Sequence, residues 1–156
     1  MAKISRIHTA SDMDMVRALF EEYAASLDFD LCFQDFEDEL AKLPGTYGPP
    51  EGCLFVAFQG DKSVGCIGLR KLEHDVCEMK RLFVKPDYRG QGIGKALAEA
   101  AICEARKLGY RSMRLDTMPS MKEAIALYES LGFERIDPYR YNPSQHAVMM
   151  QLTFGR

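Results

Sequence analysis

The chain has 156 residues, 47% of them hydrophobic and 28% charged, and its formal net charge is −3 at pH 7. This length predicts a single domain over residues 1–156, with enough apolar side chains for a hydrophobic core. The acidic balance argues against general binding of nucleic acid or of an anionic membrane surface. The sequence has no apolar run that would cross a bilayer and no signal-peptide pattern, so we expect a cytoplasmic protein.

The cysteines and histidines argue against two further classes of protein. Five cysteines are scattered along the chain without a Cys-x-x-Cys pair, and the three histidines stand at no metal-ligand spacing. We therefore expect reduced thiols and no bound metal. The sequence also lacks a Gly-x-Ser-x-Gly turn, which disfavours a hydrolase triad.

Apolar periodicity predicts strands and helices in the order β-α-α-β-β-β-α-β-α-β-β. Ser11 and Ser120 are the predicted N-caps of the first and last helices. The order indicates an α/β fold with a mixed central sheet of about seven strands flanked by about four helices. The predicted strands are 3–8, 53–58, 64–72, 76–84, 112–116, 133–139 and 147–154, and the predicted helices are 11–27, 33–43, 92–109 and 121–131.

A glycine-rich turn joins the fourth strand to the third helix. Pro86 ends the strand because it has no N–H to donate, and the sequence Arg-Gly-Gln-Gly-Ile-Gly-Lys follows at residues 89–95. A helix N-terminus leaves several N–H groups unpaired and carries partial positive charge, and glycines let an anion approach that backbone. This turn is therefore a candidate cradle for a phosphate or pyrophosphate.

Two familiar phosphate-binding patterns do not fit the turn. A Walker loop needs Ser or Thr after Gly-Lys, but Ala96 stands there. A dinucleotide fingerprint needs a third glycine where Lys95 or Leu97 stands. The remaining pattern, Arg-Gly-x-Gly-Ile-Gly, resembles the acyl-CoA pyrophosphate loop of the GNAT N-acetyltransferase superfamily. On the loop alone, a glycine-rich turn without a ligand stays open.

Three further segments extend the resemblance over nearly the whole chain. Residues 78–86 (EMKRLFVKP) resemble the family's central strand, and residues 127–133 (LYESLGF) resemble its Leu-Tyr-x-x-x-Gly-Phe segment. Residues 139–143 and 148–152 look like the closing strands of small bacterial members. The resemblance implies a GNAT-type fold and an enzyme that acylates amines.

The resemblance implies acetyl-CoA as cosubstrate, with no metal. Backbone N–H groups of the loop would hold the pyrophosphate, and the fourth strand would pair with the pantetheine arm near a strand distortion at Leu82 or Phe83. Met121 stands about where many members carry an asparagine, so that contact is lost or supplied by Ser120 or Thr117. The implied cofactor-binding residues are Leu82, Phe83, Val84, Arg89, Gly90, Gln91, Gly92, Ile93, Gly94, Lys95 and Ser120.

Two residues match catalytic positions of the family. Glu78 matches a glutamate that some members use as general base, and strand alternation predicts that it shares a side with Lys80, Leu82 and Val84. Ordered water as the base, and a merely salt-bridged glutamate, stay open. Tyr128 matches a tyrosine that donates a proton to the leaving thiolate, although a packing role would also fit its place on the helix.

The resemblance places the acceptor between residues 27–36 and 139–144, with Phe29, Phe33, Tyr139 and Tyr141 as walls. The expected function is transfer of an acetyl group from acetyl-CoA to a primary amine, of a small molecule or a protein, by direct attack in a ternary complex. The alternative is a non-catalytic acyl-CoA-binding sensor. Family analogy suggests a homodimer, and neither nucleic acid nor membrane is expected as a partner.

Overall fold

A computed structural model describes residues 2–7, 9–27, 35–139 and 147–154. In this part of the chain seven strands form one sheet in the order β1-β2-β3-β4-β5-β7-β6, and four α-helices flank it. The predicted α/β fold with a mixed sheet is therefore confirmed. The strands are β1 (Lys3–Ile7), β2 (Cys53–Gln59), β3 (Lys62–Glu73), β4 (Val76–Val84), β5 (Ser112–Thr117), β6 (Glu134–Ile136) and β7 (Val148–Thr153), and the helices are α1 (Met13–Ser26), α2 (Phe36–Ala41), α3 (Ile93–Lys107) and α4 (Lys122–Ser130).

Strands β4 and β5 are the parallel pair, and the other five pairings are antiparallel. Parallel neighbours need a crossover connection, which the glycine-rich turn and α3 provide. The turn therefore lies at the carboxyl end of β4, beside the place where β5 ends.

The sheet has a hydrophobic core on each face. The larger core packs α3 and α4 against the sheet through residues such as Leu97, Ala101 and Ile125. The smaller core packs α1 and α2 against the other face through residues such as Phe20 and Phe36. We call these the α3–α4 face and the α1–α2 face.

Both predicted serine caps are wrong. A short 3₁₀ turn, Ala10–Asp12, precedes α1, so the capping position falls on Asp12, and the Thr9 hydroxyl bonds to both Ser11 and Asp12 side chains. At α4 the Met121 N–H bonds to the Met118 carbonyl, which moves the cap from Ser120 to Met121.

Two predicted elements are shorter than their patterns suggested. β6 covers only Glu134–Ile136, because Phe133 packs into the α3–α4 core and Pro138 cannot donate a ladder hydrogen bond. α2 covers Phe36–Ala41, and Phe33 lies outside the described residues.

Candidate active site

The sheet opens between β4 and β5. Only three residue pairs join the two strands, and the last of them is Glu78 with Arg114. Beyond this pair β4 continues to Val84, while β5 stays paired with β7 as far as Thr117. A gap therefore runs through the sheet, and one edge of β4 faces it with backbone groups that the β4–β5 ladder leaves unpaired.

A β-bulge in β4 begins at the same point. Lys80 pairs with Gly68 and Phe83 pairs with Cys66, so Arg81 and Leu82 together lie opposite Ile67. Arg81 has a φ of 61°, which is unusual for a residue with a long side chain. The strand distortion implied near Leu82 or Phe83 is therefore present, and it begins at Arg81.

The bulge overturns one prediction from strand alternation. Glu78 and Lys80 lie on the α1–α2 face, since Cys77 and Met79, which alternate with them along β4, enter the α3–α4 core. After the extra residue the order reverses, and Leu82 and Val84 pack against the α3–α4 core. Glu78 and Lys80 therefore do not share a side with Leu82 and Val84.

A buried ion pair holds the bulge. Both Arg81 Nε and Arg81 Nη2 donate to the Glu39 carboxylate, at 2.9 and 3.0 Å. The guanidinium also lies 5.1 Å from the centre of the Phe36 ring. Arg81 is only 4% exposed, so this bidentate pair ties α2 to the strained residue of β4.

The glycine-rich turn lies beside the open edge of β4. Gly90 and Gly92 have φ values of 80° and 81°, where glycine is favoured over other residues. The first helical hydrogen bond of α3 runs from the Ala96 N–H to the Gly92 carbonyl, so three N–H groups, from residues 93–95, precede it. Arg89 Nε donates to the Val84 carbonyl at 2.8 Å and connects the turn to the end of the strand.

Glu78 is fully buried on the α1–α2 face. Its Oε1 accepts hydrogen bonds from Arg70, with distances of 2.9 Å to Nε and 2.8 Å to Nη2. Its Oε2 accepts a hydrogen bond of 2.7 Å from the Tyr139 hydroxyl. Glu78 is thus a salt-bridged glutamate, and Tyr139, which the sequence predicted as a wall of the acceptor site, contacts it directly.

Tyr128 of α4 lies in the core of the α3–α4 face. It is 7% exposed, and its ring centre lies 5.8 Å from that of Phe133. Burial raises the pKa of the phenol, and Tyr23 and Asp116 raise it further. The hydroxyl therefore keeps its proton at neutral pH, as a proton donor must.

Four groups from different elements are affected by the charge of Asp116 in β5. After burial itself, Asp116 contributes to raising the pKa values of Tyr23 in α1, Tyr128 in α4 and Tyr139 after β6. Burial and the charge of Arg81 lower the pKa of Lys80 to about 7, and Asp116 acts in the opposite direction. Four residues that are far apart in the sequence therefore lie within electrostatic range of Asp116.

Comparison with known proteins decides the family. The pattern of the Acetyltransferase (GNAT) family matches residues 13–133, more than half of the chain. The chain belongs to the GNAT acetyltransferase family. A Schizosaccharomyces pombe protein described as an N-acetyltransferase is 38% identical over 155 residues, which cover 98% of this chain and 95% of that protein. The prediction of an N-acetyltransferase is therefore confirmed.

Solved GNAT structures share the fold. The ribosomal-protein-S18-alanine N-acetyltransferase of Escherichia coli is 28% identical, with a TM-score of 0.74 over 98% of this chain and 94% of its own. An N-acetyltransferase of Thermoplasma acidophilum, solved in complex with coenzyme A, is 18% identical, with a TM-score of 0.75 over 99% of each chain. At that identity the second comparison shows a common fold.

The remaining predicted GNAT site residues lie around the opening or outside the described chain. Ser120 is exposed in the turn before α4, and the Thr117 hydroxyl donates to Met121 Sδ at 3.3 Å. Phe29, Phe33 and Tyr141 lie outside the described residues. Sequence reasoning placed Tyr23 in the apolar stripe of α1 and missed Asp116, since neither carries a motif.

The described residues form neither a metal site nor a membrane-spanning helix. No group of three or more His, Cys, Asp or Glu side chains in this part of the chain is arranged to hold a metal ion. Within the same ranges, none of the helices has the length and apolar character needed to cross a membrane. Cys53 and Cys77 are buried free thiols, and burial raises the pKa of each to about 12.

Proposed function

We propose that this GNAT protein transfers an acetyl group from acetyl-CoA to a primary amine, of a small molecule or a protein, by direct attack in a ternary complex. The gap that opens after Glu78 carries this proposal. It has the glycine-rich turn and Tyr128 on one face of the sheet and a buried polar cluster on the other. Two substrates that enter from opposite faces would meet within it.

The acetyl-CoA side would be built mainly from backbone. The N–H groups of residues 93–95 at the start of α3 suit the pyrophosphate, because they precede the first helical hydrogen bond, whereas the Arg89 N–H already donates to the Pro86 carbonyl. The open edge of β4 at residues 82–84 would pair with the amide groups of the pantetheine arm, as an added strand does. Ser120, exposed before α4, is the remaining proposed contact.

The acceptor amine must lose a proton before it attacks, because an ammonium has no lone pair. Glu78 is the proposed base and acts through a water molecule. Arg70 occupies one of its oxygens and Tyr139 the other, but a carboxylate has about four lone-pair sites. The proton would pass from the nitrogen to that water and on to Glu78.

Tyr128 is the proposed acid. When the amine nitrogen bonds to the thioester carbon and the carbon–sulfur bond breaks, the sulfur leaves with an extra electron pair. The Tyr128 hydroxyl would donate its proton to that sulfur, the nitrogen would lose its second proton to solvent as the amide forms, and Tyr128 would recover one proton from solvent.

A thiol-release assay tests the proposal. Acetyl-CoA is mixed with polyamines, amino acids, aminoglycosides and peptides with lysine or free N-termini, and released CoA is measured. We expect release with at least one class. Tyr128→Phe should fold and bind acetyl-CoA but lower kcat at least about tenfold, or about 1.4 kcal/mol of barrier.

The matched control is Tyr110→Phe. Tyr110 donates its hydroxyl to the Glu51 carbonyl at 2.7 Å and follows α3 rather than lining the opening. It should keep parental kcat. Parental kcat in Tyr128→Phe would remove that residue as the acid. Acetyl-CoA binding without release from any amine would overturn the transfer reaction in favour of a sensor.

A further inference from the structure

One carboxylate oxygen on the α1–α2 face lacks a hydrogen-bond partner. Asp116 Oδ2 is buried, and no described residue donates to it. The neighbouring buried carboxylates differ, because Glu78 accepts from Arg70 and Glu39 accepts from Arg81. Burial of an unpaired carboxylate oxygen is unfavourable, so its presence needs an explanation.

The position of Asp116 supplies that explanation. Met113 and Leu115, the alternate residues that precede it in β5, enter the α3–α4 core, so Asp116 lies on the α1–α2 face. It stands two residues beyond Arg114, the last β5 residue paired with β4, and therefore lies beside the gap. Across the ladder it pairs with Met149, whose sulfur accepts the Tyr139 N–H at 3.2 Å.

The groups around Asp116 point to a cationic ligand. Tyr23, Tyr128 and Tyr139 all have pKa values raised above that of a free tyrosine, so they remain neutral near pH 7. Arg70 and Arg81 already have carboxylate partners, and burial lowers the pKa of Lys80 on the same face to about 7, so this lysine is only partly charged at neutral pH and donates no hydrogen bond to Oδ2. A positively charged group that enters the gap would therefore find the free oxygen of Asp116 as its acceptor.

We infer that Asp116 receives the ammonium group of the acceptor and selects amines that arrive protonated. This inference rests on the proposed acetyl transfer. A hydrogen bond from the ammonium would satisfy Oδ2 and hold the nitrogen at the gap. Asp116 would thus bind the acceptor and leave the binding of acetyl-CoA to the opposite face.

The test compares Asp116→Asn with Asp137→Asn, an exposed aspartate two residues before Tyr139. Acetylation of spermidine, glycine and a lysine-containing peptide is measured with each. For the amine that the parent uses, Asp116→Asn should raise the acceptor KM at least about tenfold, or about 1.4 kcal/mol. The acetyl-CoA KM should change less than about twofold, and Asp137→Asn should match the parent.

Thermal unfolding separates this role from a structural one. Asp116→Asn removes an unpaired buried charge, so its Tm should equal or exceed the parental value. A parental acceptor KM, or an equal rise in both KM values with a lower Tm, would overturn the inference while the parent still acetylates. If the parent transfers acetyl to none of the three amines, the proposed function fails on these probes and the inference fails with it.

Discussion

The two faces of the sheet meet at the gap between β4 and β5, and they offer different kinds of group. The α3–α4 face offers backbone groups, namely the N–H groups of residues 93–95 and the open edge of β4. The α1–α2 face offers buried charged side chains, with Glu78 at 0%, Arg81 at 4% and Lys80 at 6% exposure. The proposed site therefore depends on backbone conformation on the α3–α4 face and on pairs of charged side chains on the α1–α2 face.

The difference explains why one face can be recognised in the sequence and the other cannot. A backbone site needs glycine at positive φ and a proline stop, and these residues stand close together in the chain. A charge cluster needs groups that the topology brings together, such as Tyr23, Asp116 and Tyr139. Each of these residues alone is compatible with an ordinary helix or strand.

The largest expected effect is on the α1–α2 face, where charged side chains are paired. Glu39→Ala leaves Arg81 buried without its carboxylate, so we expect a loss of about 3–5 kcal/mol in the free energy of unfolding. Asp14→Ala is the matched control, because it breaks the Arg17–Asp14 pair of 2.7 Å, in which the Asp14 side chain is 89% exposed. That variant should unfold almost like the parent.

Urea unfolding of the two variants measures this difference. If Glu39→Ala lost no more stability than Asp14→Ala, the bidentate pair would not be what ties α2 to the bulge. The contrast between a face held by charges and a face held by backbone would then be wrong.

A second effect on the same face depends on pH. A free lysine keeps its proton to about pH 10, whereas Lys80 in the fold has a pKa of about 7. Between these values the unfolded chain binds more protons, so Lys80 makes the parent more stable as the pH rises. Lys80→Met lacks this dependence on pH. Its free energy of unfolding should exceed that of the parent by on the order of 2–4 kcal/mol at pH 7.

The gain should shrink steadily toward pH 10, because the parental penalty for burying a charged lysine disappears there. Denaturant unfolding of both proteins at about pH 7, 8.5 and 10 measures the trend. A difference in stability that stayed constant with pH would mean that Lys80 keeps an ordinary pKa in the fold.

Much of the fold could be predicted, because it depends on local patterns. Periodicity gave the order of strands and helices, and the turn at Gly90 and Gly92 followed from residue type. The bulge could not be predicted, since Arg81 is an ordinary strand residue in the sequence. Its side chain pairs with Glu39, which is 42 residues away, and no local pattern indicates that contact.

The site divides in the same way. The motif placed the glycine-rich turn, and the structure puts Tyr128 and Glu78 on opposite faces of the sheet. Strand alternation failed after Lys80, because one inserted residue reverses every later side chain. Asp116 was missed because an aspartate in a strand gives no sign that one of its oxygens is unpaired.

The smallest expected effect concerns the α3–α4 face. It is tested at two glycines, one at each end of α3. Gly92 and Gly109 have φ values of 81° and 90°, and an added Cβ at either would meet nothing within 4 Å. Alanine at each position should therefore lower the free energy of unfolding by about 1–2 kcal/mol, which is the strain of one left-handed residue with a Cβ.

The two variants should differ in ligand binding alone. Gly92 lies in the proposed cradle, where a shifted loop would misdirect the N–H groups, so Gly92→Ala should weaken acetyl-CoA binding at least about tenfold. Gly109→Ala, at the far end of the same helix, should bind like the parent. Isothermal titration with acetyl-CoA measures both affinities, and equal affinities would show that the turn at residues 89–95 is a helix start that holds no pyrophosphate. The backbone face would then lose its proposed ligand, even though its strain would still be visible in the stability of both variants.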